Sequence, residues 1–487
     1  MKYHLVVLGC QMNISDSERV KAVVESMGFT HTDNEDEATL LGVLSCSVRQ
    51  KPIDKVYNRI HVWNRQKNKR NIITFVSGCV LPDDREKFLK LFDFVFPMSE
   101  LGEFPQMLRE YGVASPLSLS QESESTLNVE KALSTVGTKN ENQNLLNPLT
   151  KYSASKPVLP NNKDIFQLWN VKPQYQSEFE AYVPIQNGCD KFCSYCAVPF
   201  TRGREVSRPS AEIIDEVVQL MKNGYKSITL LGQNVNSYGL DREEELSFAE
   251  LLTEIGKAGD SLQNPAWVYF TSPHPRDMSR DVIEAIANYP VLAKQIHLPL
   301  QSGDDKVLVK MNRKHNLDRY RESVADIREL IPQATLFTDI IVGFTGETEE
   351  QFMNTMHSFD EFQYNMAYIA MYSPRPGAQS YRWEDDIPQA TKKDRLKRLS
   401  EKLEEISAAY NHQLLGKELK VLVRSTERKT GFLSGHTEGK LVTRIKSKDQ
   451  SLIGKFVKVR ITESADLSIA GELVAVLEDK IIPVSIS

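Results

Sequence analysis

The sequence has few cysteines, no long apolar run and no strong excess of charge of either sign. It holds six cysteines among 487 residues, and its formal net charge is −5. No segment approaches the roughly 18 uncharged apolar residues of a membrane-spanning helix. The opening segment, MKYHLVVLGCQMN, has an apolar run too short for a secretory signal and no small-residue cleavage site. We therefore expect a cytoplasmic protein with no membrane partner, whose cysteines are reduced thiols available to metals.

The sequence also lacks a nucleotide-binding P-loop and a large positive charge, which argues against two classes of function. No G-x₄-G-K-[ST] segment occurs, so the chain lacks a P-loop and use of ATP is not expected. The small net charge argues against a uniformly basic surface that coats nucleic acid. Residues 416–487, however, hold 13 Lys and Arg against 9 Asp and Glu, so this tail is basic and the remainder is acidic. A basic tail suits an anionic partner, although a solvated charged face is the alternative.

The first part of the chain has the pattern of a parallel α/β sheet, and we assign it to a domain of residues 1–113. Three apolar runs predict buried strands with amphipathic helices between them: YHLVVLGC, TLLGVLSC and NIITFVSGC. Each run ends in a cysteine, and these are Cys10, Cys46 and Cys79, called here the N-terminal trio. Because the carboxyl ends of parallel strands share one edge, we expect the three thiols to converge. For each cysteine considered alone, the alternative is a small buried apolar residue without a chemical role.

Residues 114–178 lose this periodicity and are rich in Ser, Asn, Gln and Lys. Such a composition buries too little apolar area to offset the entropy of ordering, which predicts a flexible linker or insertion. Two short apolar segments within it, NLLNPL and DIFQLW, are candidates for docking on a neighbouring domain.

Two further domains follow, over residues 179–415 and 416–483. The first alternates six predicted strands with helical segments: AYVPIQ, SITLLGQ, AWVYFTS, KQIHLPLQ, ATLFTDIIVGF and MAYIAMYS. This alternation predicts a partial (β/α)₆ barrel of the TIM type with its functional end at the strand carboxyl termini. The second contains four predicted strands and turn residues, typical of a small β-barrel: KELKVLVRS, GKLVTRIKS, KFVKVRITES and AGELVAVLED.

The segment GCDKFCSYC carries the other three cysteines, Cys189, Cys193 and Cys196, called here the core trio. Its C-x₃-C-x₂-C spacing lacks the paired C-x₂-C hooks and the histidines of structural zinc sites, which normally use four ligands. In a 4Fe-4S cube each iron takes one external ligand, so three thiolates leave one iron open for a substrate or cofactor. Zinc binding and inert packing are the alternatives for this trio.

The C-x₃-C-x₂-C spacing with Tyr195 before the last cysteine resembles the signature of the radical S-adenosylmethionine (SAM) superfamily. From end to end, apart from residues 114–178, the chain is similar to the methylthiotransferases of that superfamily. The resemblance implies a catalytic 4Fe-4S cluster on the core trio that binds SAM and generates a 5′-deoxyadenosyl radical. It also implies a second 4Fe-4S cluster on the N-terminal trio, which carries the sulfur to be methylated, and an RNA-binding TRAM barrel at the C-terminus.

Local sequence resembles the branch of that family that acts on tRNA. The segments that carry the resemblance are LGCQMNISDSERV, TRGRE, LLGQNVNSYG, SPHPRDMS, HLPLQSGDDKVLVKMNRKH and TDIIVGFTGETEE. They imply addition of a methylthio group to carbon 2 of N6-isopentenyladenosine next to the anticodon. The alternatives are a methylthiotransferase for a ribosomal-protein aspartate or for threonylcarbamoyladenosine, and a non-catalytic iron–sulfur or zinc protein that binds RNA. SCSVRQKPIDKV and GCVLPDD depart from the family pattern but keep their cysteines.

The same resemblance implies cofactor contacts and partners. The candidate SAM-binding residues lie at predicted strand ends or just beyond the core trio, and they are Gly232, Gln233, Asn234, Gly343, Glu347 and Arg204. For Gly232–Asn234 a polar turn is the alternative. Arg202, Arg204 and Arg208, just beyond the core trio, are candidates to contact phosphates or the SAM carboxylate, and solvated surface positions are the alternative for them. The implied partners are the tRNA anticodon loop and an electron donor such as flavodoxin or ferredoxin. A monomer is expected.

Overall fold

The computed structural model describes residues 1–46, 50–113, 115–116, 165–262, 266–427 and 431–477. The chain forms an N-terminal parallel sheet with helices, a central curved sheet of six βα units and a C-terminal closed β-barrel. This is the fold class that the sequence predicts. Among the described residues, no helix is sufficiently long and apolar to cross a lipid bilayer.

The N-terminal sheet has five parallel strands in the order β2-β1-β3-β4-β5. Its strands are β1 Lys2–Val7, β2 Thr30–His31, β3 Leu40–Cys46, β4 Ile73–Cys79 and β5 Phe94–Val95. Its helices are α1 Gln11–Ser26, α2 Gln50–Gln66, α3 Pro82–Phe88 and α4 Phe104–Glu110. Every residue of β3 and β4 is buried, because apolar clusters cover both faces of the sheet. Such strands show continuous apolar runs rather than alternation, which is why the sequence identifies them.

The prediction that residues 114–178 form a flexible segment is wrong for the last part of this segment. Residues Ile165–Asn170 form helix α5, and Ile165, Leu168 and Trp169 are buried in the apolar cluster beside α1 and α4. Beyond α5, the backbone N–H groups of Gln174 and Gln176 donate to Glu18 of α1. The described part of DIFQLW, residues 165–169, therefore docks on the N-terminal domain through three large apolar side chains, as the sequence suggests. The other apolar segment, NLLNPL, lies outside the described residues.

The central domain contains the six strands that the sequence predicts, in chain order around an arc. Its strands are β6 Glu180–Pro184, the short β7 Gln186–Asn187 and β8 Val206–Ser207, then β9 Ser227–Leu231, β10 Trp267–Phe270, β11 Gln295–His297, β12 Thr335–Val342 and β13 Met366–Met371. Two parallel three-stranded sheets, β6-β9-β10 and β11-β12-β13, meet where Val268 bridges to Leu292. The strand carboxyl ends consequently face one side of the arc, as in a partial barrel.

Six long helices pack on the outside of this arc, and they are α7 Ser210–Lys222, α8 Phe248–Leu262, α9 Arg280–Asn288, α11 Leu317–Leu330, α12 Glu349–Phe362 and α13 Gln389–His412. Two short helices follow strand carboxyl ends instead: α6 Val198–Arg202 and α10 Asp305–Lys310. The apolar faces of the long helices and the outward side chains of the strands form the largest buried cluster of the protein's described part. The long α13 leads from this domain to the C-terminal barrel.

The C-terminal barrel closes in the order β14-β15-β16-β18-β17. Its strands are β14 Glu418–Thr426, β15 Phe432–Thr437, β16 Val442–Lys446, β17 Phe456–Ala465 and β18 Ser468–Val476. Strand β15 was not among the sequence predictions, because FLSGHT contains glycine, serine and histidine and has weak strand propensity.

The barrel packs against the amino-terminal ends of the central strands. Trp267 at the start of β10 lies in edge contact with Phe456, with ring centroids 4.5 Å apart. Thr335 at the start of β12 donates to the carbonyl of Gly439 at 2.8 Å, and Arg424 forms an ion pair with Glu180. The small barrel and the strand carboxyl ends thus lie on opposite sides of the central domain.

Candidate functional site

The core trio lies in the loop between β7 and α6, at the carboxyl end of the first central strand. Cys189 and Cys193 are buried and Cys196 is partly exposed. Neighbouring loops hold the backbone of this segment: Gln233 accepts a hydrogen bond from the Gly188 N–H at 2.6 Å, and the Ser194 N–H donates to the carbonyl of Met311 at 3.0 Å. The loop is therefore positioned by β9 and α10 as well as by its own strand.

The three core thiols are electrostatic neighbours. Burial raises the pKa of the Cys189 thiol to about 12, and the nearby Cys193 contributes to the increase. Burial also raises the pKa of Cys196, and both Cys193 and Cys189 raise it further. Cys189 and Cys196 thus resist ionisation, and a metal that binds thiolates removes this cost.

Arg313 is a residue of this site that sequence reasoning missed. Its guanidinium is buried, donates to the carbonyl of Pro299 at 2.8 Å and lies 3.5 Å from the Cys193 sulfur. A guanidinium beside a thiolate stabilises the negative charge. The only signal in the sequence is an arginine inside the segment KMNRKH, which gives no indication of the contact with Cys193.

The N-terminal trio lies at the carboxyl edge of the first sheet. Cys46 and Cys79 are direct partners in the register of β3 and β4. Cys10 does not end its strand as predicted: β1 ends at Val7, and Cys10 is the residue before α1. Burial raises the pKa of Cys79 to about 12, with Arg202 lowering it and both Cys46 and Cys10 raising it. The three thiols are consequently close enough to interact.

Asn13 and two glycines shape the space beside this trio. The Asn13 side chain accepts from the Cys10 N–H at 3.3 Å and donates to the Ser45 carbonyl at 2.9 Å, which ties α1 to the end of β3. A Cβ at Gly9 would lie 2.3 Å from Asn13 Oδ1 and 3.0 Å from the Cys46 Cβ. Because glycine has no Cβ, the chain segments approach closely here, and a larger residue would overlap with its neighbours.

Gly78 provides a direct test of this close approach. Its φ is +94°, and a Cβ there would lie 2.6 Å from the Ser45 carbonyl oxygen and 2.8 Å from Asn13 Nδ2. We expect Gly78→Ala to lower the free energy of unfolding by about 2–5 kcal/mol, since backbone strain and steric overlap add. Gly224→Ala is the matched control, with φ of +86° and no atom within 4 Å, and it should cost only about 1–2 kcal/mol. Equal losses in urea denaturation of the two variants would contradict the proposed crowding.

The three arginines after the core trio have different surroundings. Arg204 is exposed, lies over the Phe192 ring and is 3.4 Å from Asp190. Arg208 is buried and pairs with Glu212 and Glu216 of α7. Arg202 is also buried, contacts Asp16 and donates to the Cys79 sulfur at 3.0 Å. Solvated positions are therefore wrong for Arg202 and Arg208.

The segment Gly232–Asn234 follows β9 directly. Gln233 contacts the core-trio loop through the Gly188 N–H, whereas the buried Asn234 donates to Ser237 and its Oδ1 has no hydrogen-bond partner within the described part of the chain. A Cβ on Gly232 would lie 3.0 Å from Gln186 Oε1. The three residues line the carboxyl end of the barrel beside the cysteine loop.

Gly343 and Glu347 form a turn after β12. The Glu347 carboxylate accepts from the Gly343 N–H at 2.7 Å and from Arg395 of α13 at 2.8 Å. Burial raises its pKa to about 7, while the Gly343 N–H and Arg395 lower it. Within this turn Phe344 lies edge-on to Tyr195, with ring centroids 6.4 Å apart. Glu347 is thus committed to protein contacts in a turn that touches the cysteine loop.

The donor chemistry of both trios fits iron–sulfur clusters. Among the described residues, no group of three or more His, Cys, Asp or Glu side chains has the arrangement to hold a single metal ion. A four-iron cluster binds each thiolate through a different iron, so its ligands need not meet at one point. The residues would supply three thiolates to each cluster, and each trio has one buried guanidinium near a sulfur, Arg313 or Arg202.

Three known families match successive parts of the chain. The Uncharacterized protein family UPF0004 matches residues 2–97, the Radical SAM superfamily matches residues 183–359 and the TRAM domain matches residues 412–474. The three matches coincide with the N-terminal sheet, the central arc and the C-terminal barrel.

Curated relatives align with nearly the whole chain. The tRNA-2-methylthio-N(6)-dimethylallyladenosine synthase of Thermoanaerobacter pseudethanolicus is 35% identical over 483 residues, covering 98% of this chain and 93% of the relative. The protein of the same name from Clostridium botulinum is 36% identical over 479 residues, covering 97% of this chain and 96% of the relative.

One solved structure supports the fold alone. It is a radical S-adenosylmethionine methyltransferase, TsrM, from Kitasatospora setae with cobalamin and a 4Fe-4S cluster bound. The TM-score is 0.50 at 14% identity, covering 93% of this chain and 80% of that chain.

Proposed function

The chain belongs to the family of tRNA-2-methylthio-N(6)-dimethylallyladenosine synthases, and we propose that it performs the reaction of that family on its own tRNA substrates. It is a tRNA methylthiotransferase of the radical SAM type, and membership of that superfamily implies SAM and a 4Fe-4S cluster as cofactors. The methylthio group is placed on carbon 2 of N6-isopentenyladenosine next to the anticodon.

The observation that carries the finer proposal is the distribution of the cysteines. All six fall into two sets of three, and each set lies at the carboxyl edge of its own parallel sheet. We propose two 4Fe-4S clusters, one on the N-terminal trio and one on the core trio, with an open iron in each. Two SAM molecules are used, one as methyl donor and one as radical source.

The chemistry explains why such cofactors are needed. Carbon 2 of adenine carries a hydrogen that is not usefully acidic and no leaving group, so acid–base catalysis by side chains has little effect there. The core trio would hold a 4Fe-4S cluster, which when reduced would supply from SAM the 5′-deoxyadenosyl radical needed to abstract such a hydrogen. Arg313 stabilises the Cys193 thiolate, and Gln233 holds the loop at Gly188.

The SAM contacts are proposed for residues around the core trio. They lie at the carboxyl ends of β9 and β12 or directly after the trio: Gly232, Gln233, Asn234, Gly343, Glu347 and Arg204. Because Glu347 already accepts from Gly343 and Arg395, its contribution is to shape the turn rather than to offer a free carboxylate. Arg204 is exposed beside Asp190 and lies over the Phe192 ring, directly after the core trio.

The partner is tRNA, and we propose that its anticodon loop reaches the strand carboxyl ends while the C-terminal barrel contacts the RNA backbone. Several basic side chains of this barrel already form ion pairs, among them Arg444 with Glu427, Lys446 with Glu472, and both Lys458 and Arg460 with Glu418. Contact with folded RNA depends on shape and phosphates. The unpaired adenine leaves its loop stack at low cost.

The remaining assignments follow from this reaction. We propose a cytoplasmic monomer, since tRNA is processed in the cytoplasm, and a flavodoxin or ferredoxin as the electron donor. We propose three functional units: residues 1–113, the central domain 179–415 and the barrel 416–483. The insertion that begins at residue 114 separates the first unit from the central domain, and helix α5 within this insertion packs on the first unit.

The test is the modified-nucleoside profile of tRNA. In a strain that lacks this gene, we expect mass spectrometry to find N6-isopentenyladenosine without its 2-methylthio derivative, and the full-length gene should restore it. Ribosomal-protein aspartate and threonylcarbamoyladenosine should keep their methylthio groups in the same strain. An unchanged 2-methylthio-isopentenyladenosine content would refute the proposed substrate, and loss of either other product would favour an alternative branch.

A further inference from the structure

Helix α6 connects the two cysteine trios. At its first residue, the Val198 N–H donates to the Cys196 sulfur at 3.4 Å. At its last residue, the Arg202 guanidinium donates through Nε to the Cys79 sulfur at 3.0 Å. A helix of five residues rises about 7.5 Å, so this short rigid segment and one side chain span the distance between a sulfur of the core trio and a sulfur of the N-terminal trio.

The guanidinium of Arg202 is fixed by partners from both domains. It donates to Asp16 of α1 and, at 3.2 Å, to Asn187 of β7. Asn187 in turn donates to the Arg202 carbonyl at 3.0 Å. Arg202 is 5% exposed and Asp16 is 2% exposed. A buried guanidinium with three directed partners has little freedom to move away from the Cys79 sulfur.

We propose that Arg202 is a positioning residue that sets the reduction potential of the N-terminal cluster and holds that cluster at a fixed distance from the core trio. This rests on the proposed function, because it requires a cluster on Cys10, Cys46 and Cys79. Hydrogen bonds to the ligand sulfurs and nearby charge are the means by which a protein tunes such a cluster.

The charges predict opposite effects for the two partners. Reduction adds an electron to the cluster, so a positive charge beside Cys79 favours the reduced state and a negative charge disfavours it. Removing the Arg202 charge should therefore lower the reduction potential. Removing the Asp16 charge leaves the Arg202 guanidinium uncompensated and should raise the reduction potential. A purely structural role for this ion pair would give losses of stability without this reversal of sign.

The experiment uses the full-length chain with Cys189, Cys193 and Cys196 replaced by alanine, so that only the N-terminal cluster can form. After anaerobic reconstitution, iron content is measured and the cluster is titrated with dithionite while its electron paramagnetic resonance signal is followed. We expect Arg202→Gln to lower the equilibrium constant for reduction at least tenfold, which is about 59 mV for one electron. Asp16→Asn should shift the potential in the positive direction, and Arg202→Lys should recover much of the loss.

Arg208→Gln is the matched control, because Arg208 is equally buried but pairs with Glu212 and Glu216 and has no sulfur partner in the described contacts. The cluster of this control variant should have the same reduction potential as the cluster of the parent protein, which lacks only the core-trio cysteines. Equal potentials for all variants, or shifts of the same sign for Arg202→Gln and Asp16→Asn, overturn the inference. If Arg202→Gln binds no iron, the reduction potentials of Arg202→Lys and Asp16→Asn test the inference instead. Absence of iron from the parent itself would instead refute the N-terminal cluster and the proposed function.

Discussion

A full-length variant with Cys189, Cys193 and Cys196 replaced by alanine is expected to release no 5′-deoxyadenosine from SAM and to transfer no methylthio group to tRNA. These thiols lie together in one loop at the carboxyl end of the central strands. Because the proposed function assigns the radical-generating cluster to these thiols, turnover should fall by at least about 10⁶-fold, the lower range of enzymatic acceleration. Iron should fall from about eight to about four per chain.

The measurement pairs iron analysis with chromatography of the SAM products under anaerobic reduction. The matched variant replaces Cys10, Cys46 and Cys79 by alanine. It should also bind about four irons per chain, and it should still release 5′-deoxyadenosine while leaving tRNA without the methylthio group. If the first variant still cleaved SAM, or the second still modified tRNA, the proposed roles of the two trios would be wrong.

Much of the fold could be predicted because most of its longer strands are apolar runs bounded by turn residues. Strands β3, β4 and most of β12 show the pattern of parallel strands buried on both faces. Strand β13 is apolar but partly exposed, and β15 was not predicted. The core trio was recognisable because its three cysteines lie within eight residues of one another. The position of Cys46 and Cys79 follows from parallel pairing in register.

Other features depend on tertiary contacts that no local pattern encodes. Cys10 lies beyond the end of β1, since the strand ends three residues earlier than the apolar run suggests and α1 begins directly after Cys10. Helix α5 is six residues long and gains its stability from docking rather than from propensity. The contact between Arg202 and Cys79 joins residues 123 positions apart, and that between Arg313 and Cys193 spans 120 positions. Both arginines appear as ordinary charged residues in the sequence.

Arg395→Ala is expected to lower the free energy of unfolding by about 3–5 kcal/mol, because it leaves the buried Glu347 carboxylate without its cation. Arg395 is buried and bonds both the side chain and the carbonyl of Glu347. Denaturation by urea measures the loss. Because Phe344 and Tyr195 are in contact, a loosened turn should also weaken SAM binding, which equilibrium dialysis with the reconstituted protein measures.

Arg398→Ala is the control, since Arg398 lies on the same helix but forms its ion pairs with Glu349 and Asp394 at the surface. Such pairs contribute about 0.2–1 kcal/mol, so its stability should change little. Glu347→Gln keeps a group that accepts from the Gly343 N–H and should retain SAM binding if Glu347 only shapes the turn. A loss of SAM affinity in Glu347→Gln at unchanged stability would instead show that the carboxylate meets the cofactor. Equal stability losses for Arg395→Ala and Arg398→Ala would show that burial does not control the strength of this ion pair.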